Sequence, residues 1–345
     1  MQARQAIASI QEWIEHQAHE FTGFRAAHLM GGILTLPPEG VFQTYRGIDL
    51  NIISRDVSAT TSHSATYHDL IIEYTIISAD HYRTSLHVLE NPHLATNLAR
   101  GGILADPHGI LTPLQPIVAA LHSQYSWVKA RCNRHLQRVE RALEQLRHAA
   151  SPHEAFWPLG CVGVGLSSLL AESTLQAPLR RRSLVLQRKL LAQHGRIELH
   201  NAIMEILGWS RFRWHDVEWY ASRCATAFDY AVRMFNPPIP FQQHRRPYVV
   251  AGAQEMIEQD YFKEAMFWIS RFLWMANATI QQHAPVANRP FLQAPLDRLV
   301  GTMGLYARAD IARRVTMIEA VIPVVVAMSE TLIDQYCQTE TALWC

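Results

Sequence analysis

The sequence predicts an α+β fold, in which a small mixed sheet with helices is followed by a bundle of helices. Two observations lead to this prediction. Short apolar runs bounded by glycine and proline lie in the first third of the chain, and one of them, LIIEYTII, is rich in β-branched residues, which is typical of a buried strand. After about residue 112 the apolar residues recur at helical spacing instead. We therefore expect an α+β domain over residues 1–112 and a helical-bundle domain over residues 113–345.

The elements of the first domain follow from local patterns. Apolar residues on one helical face predict an amphipathic helix over residues 4–18. Short apolar runs predict four strands, at residues 26–30, 48–53, 70–77 and 102–104, and the run at 70–77, LIIEYTII, is rich in β-branched residues. The segments GGILTLPPEG and SRDVSATTSHS, which lie between strands, are rich in turn residues and are expected to be loops. A turn at DPHG follows the last strand.

The second domain is expected to contain only helices. Helical spacing of apolar residues marks five segments, at residues 113–148, 180–208, 215–234, 250–283 and 308–337. Proline-containing breakers separate these segments. No fixed-period repeat is visible, which argues against a solenoid.

Composition excludes several classes of protein. Among 345 residues, 31 are Lys or Arg and 30 are Asp or Glu, a net charge of +1, so the basic excess of a general nucleic-acid binder is missing. The five scattered cysteines indicate reduced thiols. The uninterrupted apolar stretches at 159–170 and 320–328 are shorter than a bilayer crossing. These features predict a cytoplasmic protein that binds neither membranes nor nucleic acids in general.

The residues best suited to chemistry lie in the first domain. Gly31 and Gly32 follow a predicted strand, where a glycine pair opening a helix lets backbone amides approach a phosphate. Asp49 lies on the next strand, and Glu73 lies inside LIIEYTII with apolar residues on both sides. An ionised carboxylate in a buried strand is costly unless it has a partner. Asp49 and Glu73 on neighbouring strands would form a pair of metal ligands.

This order of residues resembles the nucleotidyltransferase superfamily, the polymerase-β-like fold that includes the antibiotic (kanamycin-type) nucleotidyltransferases. Gly31 and Gly32 match that family's turn, Asp49 matches the second Asp of its Asp-x-Asp pair, and Glu73 matches its third acid. The segment GGILADPHG is similar to the end of such domains. The helical half looks like the C-terminal domain of uncharacterised bacterial members, so the resemblance covers most of the chain.

The resemblance implies an activity. It would be the Mg²⁺-dependent transfer of a nucleotide monophosphate, AMP above all, from an NTP to a hydroxyl of a small-molecule acceptor. Asp49 and Glu73 would hold the metal, and the nucleotide would be held by further residues, namely Gly31, Gly32, Arg181, Arg188 and Lys189. The kanamycin-type members also suggest a homodimer.

One departure from the family pattern bears on catalysis. The first Asp of the pair would fall at position 47, which is Gly47 here, so two acids remain where the two-metal mechanism uses three. Glu39 or Asp56 would have to fold back to replace the lost acid. The alternative function is a degenerate nucleotidyltransferase fold, either a non-catalytic binding protein or an enzyme that reuses the metal site on a diphosphate-bearing organic substrate.

Each candidate residue also has a structural interpretation. The glycine pair could be a tight turn, and Asp49 could be a cap or turn residue. Glu73 could form a structural ion pair with Arg46 or Arg83. The arginine cluster at 180–182 and 188–189 could be a solvated helix face.

Overall fold

The computed structural model describes residues 1–177, 179–234 and 239–337. The residues separate into two compact units. The first contains Met1–Cys132, Glu172–Leu179 and residues 332–337, and the second contains Asn133–Ala171 and Arg180–Thr331. The predicted domain boundary after residue 112 stays a prediction, but the first unit holds all of residues 1–112 and takes in two later segments as well.

A five-stranded mixed sheet forms the centre of the first unit. Its strands are β1 (Phe24–Met30), β2 (Ile48–Ser54), β3 (Thr61–Tyr67), β4 (Leu70–Ser78) and β5 (Ile103–Ala105). Their spatial order is β3-β4-β2-β1-β5. β2 and β4 are parallel, whereas the other three neighbouring pairs are antiparallel. A sheet in the first third of the chain confirms the predicted α+β class.

Each face of this sheet carries its own apolar core. The amphipathic helix α1 (Ala3–Gln17) packs on one face, where Ile10 and Trp13 belong to the same buried apolar cluster as Leu50. The opposite face is covered by the short helices α2 (Ser85–Leu89) and α3 (Ala95–Ala99), together with α4 (Leu114–Leu121). Because side chains alternate along a strand, neighbouring residues of β2 contribute to different cores.

The remaining helices are longer, and most of their residues belong to the second unit. They are α5 (Tyr125–His148), α6 (Pro152–Ser173), α7 (Ser183–Gln193), α8 (Ile197–Leu207), α9 (Trp214–Val232), α10 (Arg246–Glu258), α11 (Phe262–His283), α12 (Arg289–Thr302) and α13 (Arg308–Tyr336). As predicted, the described residues of the second unit contain no strand. Within that unit α9, α10 and α11 pack against one another.

Three local predictions were wrong. The segment SRDVSATTSHS, expected to be a loop, contains the start of β3. The sequence of β3, TSHSATY, is mostly polar, yet this strand pairs with β4 along its whole length. The helix expected after the glycine pair is a five-residue 3₁₀ turn, Gly31–Thr35. The helices α6 and α12 fell outside the predicted segments, and each contains an internal proline of the kind that usually marks a helix end.

Two helices are long and apolar enough to cross a membrane by length and composition, namely α6 and α13. In the most apolar window of α6, 72% of the residues are buried inside the protein, against 39% for α13. The sequence analysis considered only the uninterrupted apolar stretches at 159–170 and 320–328, whereas these helices of 22 and 29 residues also contain small and isolated polar side chains.

Candidate functional site

The two predicted metal ligands are neighbours in the sheet. Asp49 on β2 is the register partner of Glu73 on β4, and the two strands are parallel. Register partners on parallel strands point to the same face and lie about 4.8 Å apart along the sheet. Asp49 is the second residue of β2, so it is neither a helix cap nor a turn residue. The spacing of 24 residues in the sequence therefore becomes a side-by-side pair of carboxylates.

Gly31 lies against this pair at the end of β1. Its φ is +72°, and a Cβ atom there would lie 3.3 Å from Oδ2 of Asp49. A side chain at position 31 would therefore crowd the carboxylate and strain the backbone. The neighbouring Gly32 is exposed, with nothing within 4 Å of the place where its Cβ would be. Of the two predicted glycines, Gly31 alone is required by the geometry.

A residue that the sequence analysis missed holds the glycine turn. The amide of Gly31 donates to Oδ1 of Asn97 on α3 at 2.8 Å. The Asn97 side chain in turn donates to the carbonyl oxygen of His93 at 2.8 Å. The Gly31 amide is therefore already hydrogen-bonded inside the unit. Asn97 was not recognisable from sequence, because the asparagine lies 66 residues from the glycine that it contacts.

The strand β3, which was predicted to be a loop, supplies a hydrogen-bond partner for Glu73. Ser64 on β3 is the register partner of Glu73, and its hydroxyl donates to Oε1 of Glu73 at 2.8 Å. Glu73 is only 8% exposed. Of the two arginines suggested as ion-pair partners, Arg83 pairs instead with Asp80 at 2.8 Å. Arg46 ends a 3₁₀ turn that packs against β4.

The backbone at Gly47 differs from that of a strand. Gly47 lies just before β2, with φ +72° and ψ 151°. This combination is essentially restricted to glycine, because any Cβ atom would clash with the backbone. Position 47 is thus shaped for a residue without a side chain. The resemblance described above would place an Asp here, and the local backbone disfavours that residue.

The two acids suggested as replacements lie elsewhere. Glu39 is exposed and pairs with Arg4 at 3.3 Å. Asp56 follows the far end of β2, seven residues from Asp49, and pairs with Arg55 at 2.8 Å. Within the described residues no group of three or more His, Cys, Asp or Glu side chains could hold a metal ion.

A buried polar network lies farther along the same sheet face. Asn51 is two residues beyond Asp49 on β2 and is the register partner of His28 on β1. Nε2 of His28 lies 2.6 Å from the hydroxyl of Tyr82, and the Asn51 amide donates to the same hydroxyl at 3.2 Å. Burial lowers the pKa of His28 to about 4 and raises the pKa of Tyr82. The imidazole is therefore neutral, and this network positions the strands without adding charge to the site.

The three predicted cations lie in the second unit, where their side chains interact with other groups of that unit. Arg181 is 8% exposed and donates to the carbonyl oxygen of Tyr248 at 3.0 Å. Arg188 pairs with the buried Glu264 at 3.3 Å. Lys189 lies 5.7 Å from the centre of the Tyr261 ring. Arg181 is therefore not part of a solvated helix face, which was one of the two interpretations of this cluster.

The donor set at Asp49 and Glu73 suits one Mg²⁺ ion. Mg²⁺ is commonly held by one or two carboxylates, with phosphate oxygens and waters completing its six ligands. Two adjacent carboxylates beside a glycine turn match that description. They do not match a two-metal site, which needs a further bridging acid.

Comparison with solved structures aligns the chain with a nucleotidyltransferase-like protein from Exiguobacterium sibiricum. The alignment covers 87% of this chain and 88% of that chain, with 10% sequence identity and a TM-score of 0.32. A similarity this low carries no conclusion about fold or function. No protein-family description and no curated protein matches the sequence.

Proposed function

We propose that the first unit binds a nucleoside triphosphate with a single Mg²⁺ ion, as a degenerate relative of the nucleotidyltransferases that does not carry out two-metal transfer. The observation that supports binding is the side-by-side placement of Asp49 and Glu73 next to the Gly31 turn. The observation that argues against transfer is the glycine-only backbone at Gly47. A carboxylate there would have to overcome strain of about 1–3 kcal/mol.

Each residue of the site has a separate task in this proposal. Asp49 and Glu73 would hold the metal, which when bound would neutralise phosphate charge. Ser64 orients Glu73 by donating to one of its oxygens. Asn97 holds the Gly31 turn in place, and the missing side chain at Gly31 leaves room for the Asp49 carboxylate. Binding and orientation of phosphate are thus what these residues can supply.

The test is calorimetric titration with a non-hydrolysable ATP analogue, with Mg²⁺ and with EDTA. We expect binding that requires Mg²⁺ and that weakens at least tenfold, about 1.4 kcal/mol, in Asp49→Asn. Asp80→Asn is the matched control, because this exposed carboxylate of the same unit pairs with Arg83. The control should bind like the unaltered protein. The proposal would be contradicted if the ATP analogue bound equally well with Mg²⁺ and with EDTA, if Asp49→Asn bound it as tightly as the unaltered protein, or if no binding occurred.

A second candidate is transfer itself, favoured by the same arrangement of Asp49, Glu73 and glycine turn. The reaction would move AMP from ATP to a hydroxyl of a small molecule and release pyrophosphate. Pyrophosphate release in the presence of hydroxylated acceptors measures it directly. Acceptor-dependent release that disappears in Asp49→Asn would replace the binding proposal with this one.

A further inference from the structure

A cluster of one arginine and two tryptophans lies in the second unit, separate from the site described above. Arg271 and Trp274 are three residues apart on α11 and so share a face of that helix. Trp157 on α6 stacks on Trp274, with ring centres 4.9 Å apart and planes at 22°. The guanidinium carbon of Arg271 lies 5.2 Å from the centre of the Trp157 ring. We call these three residues the Arg271 cluster.

The charges that act on Arg271 are of its own sign. Burial lowers the pKa of its guanidinium, and the positive charges of Arg180 and Arg245 lower it further. The other titratable groups that act on it are the phenol of Tyr248 and the thiol of Cys161, both neutral at pH 7. Across residues 1–177, 179–234 and 239–337, no carboxylate forms an ion pair with Arg271.

This environment differs from those of the other arginines inside the same unit. Arg188 pairs with Glu264, Arg181 donates to the carbonyl oxygen of Tyr248, and Arg314 donates to that of Met303. Arg271 instead lies over the ring of Trp157, and the charged residues that act on it are Arg180 and Arg245. A guanidinium cannot lose its proton at physiological pH. A half-buried cation among like charges is unfavourable until an anion joins it.

We propose that the Arg271 cluster is a binding site for a phosphate or a phosphate monoester. The planar guanidinium can donate two parallel hydrogen bonds to phosphate oxygens, and its position over the Trp157 ring restricts where the side chain can lie. Arg180 is exposed, and its positive charge acts on Arg271, so it adds to the positive potential around the guanidinium. No carboxylate of the cluster would repel the anion. This proposal goes beyond the function proposed for the first unit, because it uses residues of the second unit alone.

The first experiment follows the melting temperature of the full chain during titration with inorganic phosphate. Chloride at matched ionic strength is the reference, and EDTA is present throughout. An anion that binds the folded state raises the melting temperature with the logarithm of its concentration once that concentration exceeds the Kd. We expect such a rise in the unaltered protein and at least a tenfold weaker effect in Arg271→Met. Arg196→Met is the control, because Arg196 is a partly exposed arginine of the same unit that pairs with Glu198.

A second variant covers the case in which Arg271→Met does not fold. Arg271→Lys keeps the positive charge but loses the two-pronged donor, so phosphate should bind several-fold more weakly than in the unaltered protein. Equal phosphate affinity in the lysine variant would overturn the proposal. So would a melting temperature of the unaltered protein that phosphate raises no more than chloride does, or a phosphate-specific rise that Arg271→Met retains.

The two proposals fail in different ways. Phosphate binding at the Arg271 cluster needs no metal and should persist in Asp49→Asn with EDTA present. Nucleotide binding at the first unit requires Mg²⁺ and should persist in Arg271→Met. Loss of one signal therefore leaves the other as an independent result.

Discussion

Restoring the missing acid at position 47 is the sharpest perturbation of the candidate site. Gly47 has φ +72° and ψ 151°, a region in which a residue with a Cβ atom is strained by about 1–3 kcal/mol. Gly47→Ala measures this strain alone, and Gly47→Asp adds the charge. Gly32→Asp is the charge control, because Gly32 has no positive φ and its Cβ would meet nothing within 4 Å.

The strain translates into a measurable change in melting temperature. For a unit of roughly 150 residues, 1 kcal/mol shifts the midpoint by about 2–4 °C, so both Gly47 variants should melt about 2–12 °C lower. Gly32→Asp should stay within about 2 °C of the unaltered protein. Differential scanning calorimetry supplies the assay, with pyrophosphate release measured on the same samples. We expect no gain of transfer in Gly47→Asp.

Two results would refute this reasoning. If Gly47→Asp melted with the unaltered protein, the backbone at this position would accommodate a side chain after all. If the variant also gained Mg²⁺-dependent nucleotidyl transfer, the site would be a two-metal site that lacks only one ligand. A loss of stability in Gly32→Asp equal to that in Gly47→Asp would show that charge, rather than backbone strain, causes the effect.

Three further predictions concern the first unit. Burial lowers the pKa of His28 to about 4. Between pH 6.5 and pH 4 the His28 imidazole is therefore protonated in the unfolded chain but stays neutral in the folded chain. Stability should fall by about 3 kcal/mol between pH 6.5 and 4 and then level off, and His28→Gln should flatten this dependence in melts at pH 7 and 5. Gly31→Ala should lower the melting temperature and weaken Mg²⁺-dependent ATP-analogue binding, whereas Gly32→Ala should change neither. Removing either partner of the fully buried Arg131–Glu172 pair should cost about 3–5 kcal/mol in denaturant unfolding, and the double variant less than the sum.

Regular patterns made the fold class and most helices predictable. The strand LIIEYTII stands out because β-branched residues fill it, and α1 stands out because its apolar residues share one face. The strand β3 was not predicted, because its polar sequence shows no strand pattern and forms a strand only by pairing with β4. The helices α6 and α12 escaped because their internal prolines indicate a helix end when the packing around them is unknown.

The candidate site was predictable in part for the same reason. A carboxylate inside an apolar strand is conspicuous, so Glu73 and Asp49 could be named from sequence. Their register, the Ser64 hydroxyl and the Asn97 side chain could not be, because each depends on which strands and helices become neighbours. The glycine-only backbone of Gly47 and the like-charge surroundings of Arg271 are likewise properties of position in space.

The sequence alone therefore determined the α+β class, most of the helices and the two acids most suited to a metal. These are local properties, set by periodicity and by the cost of burying a charge. The tertiary structure alone decided that Asp49 and Glu73 lie side by side, that position 47 excludes a side chain, and that Arg271 lacks a carboxylate partner among the described residues. Distances between residues far apart in the chain arise only when the sheet and the helices pack together.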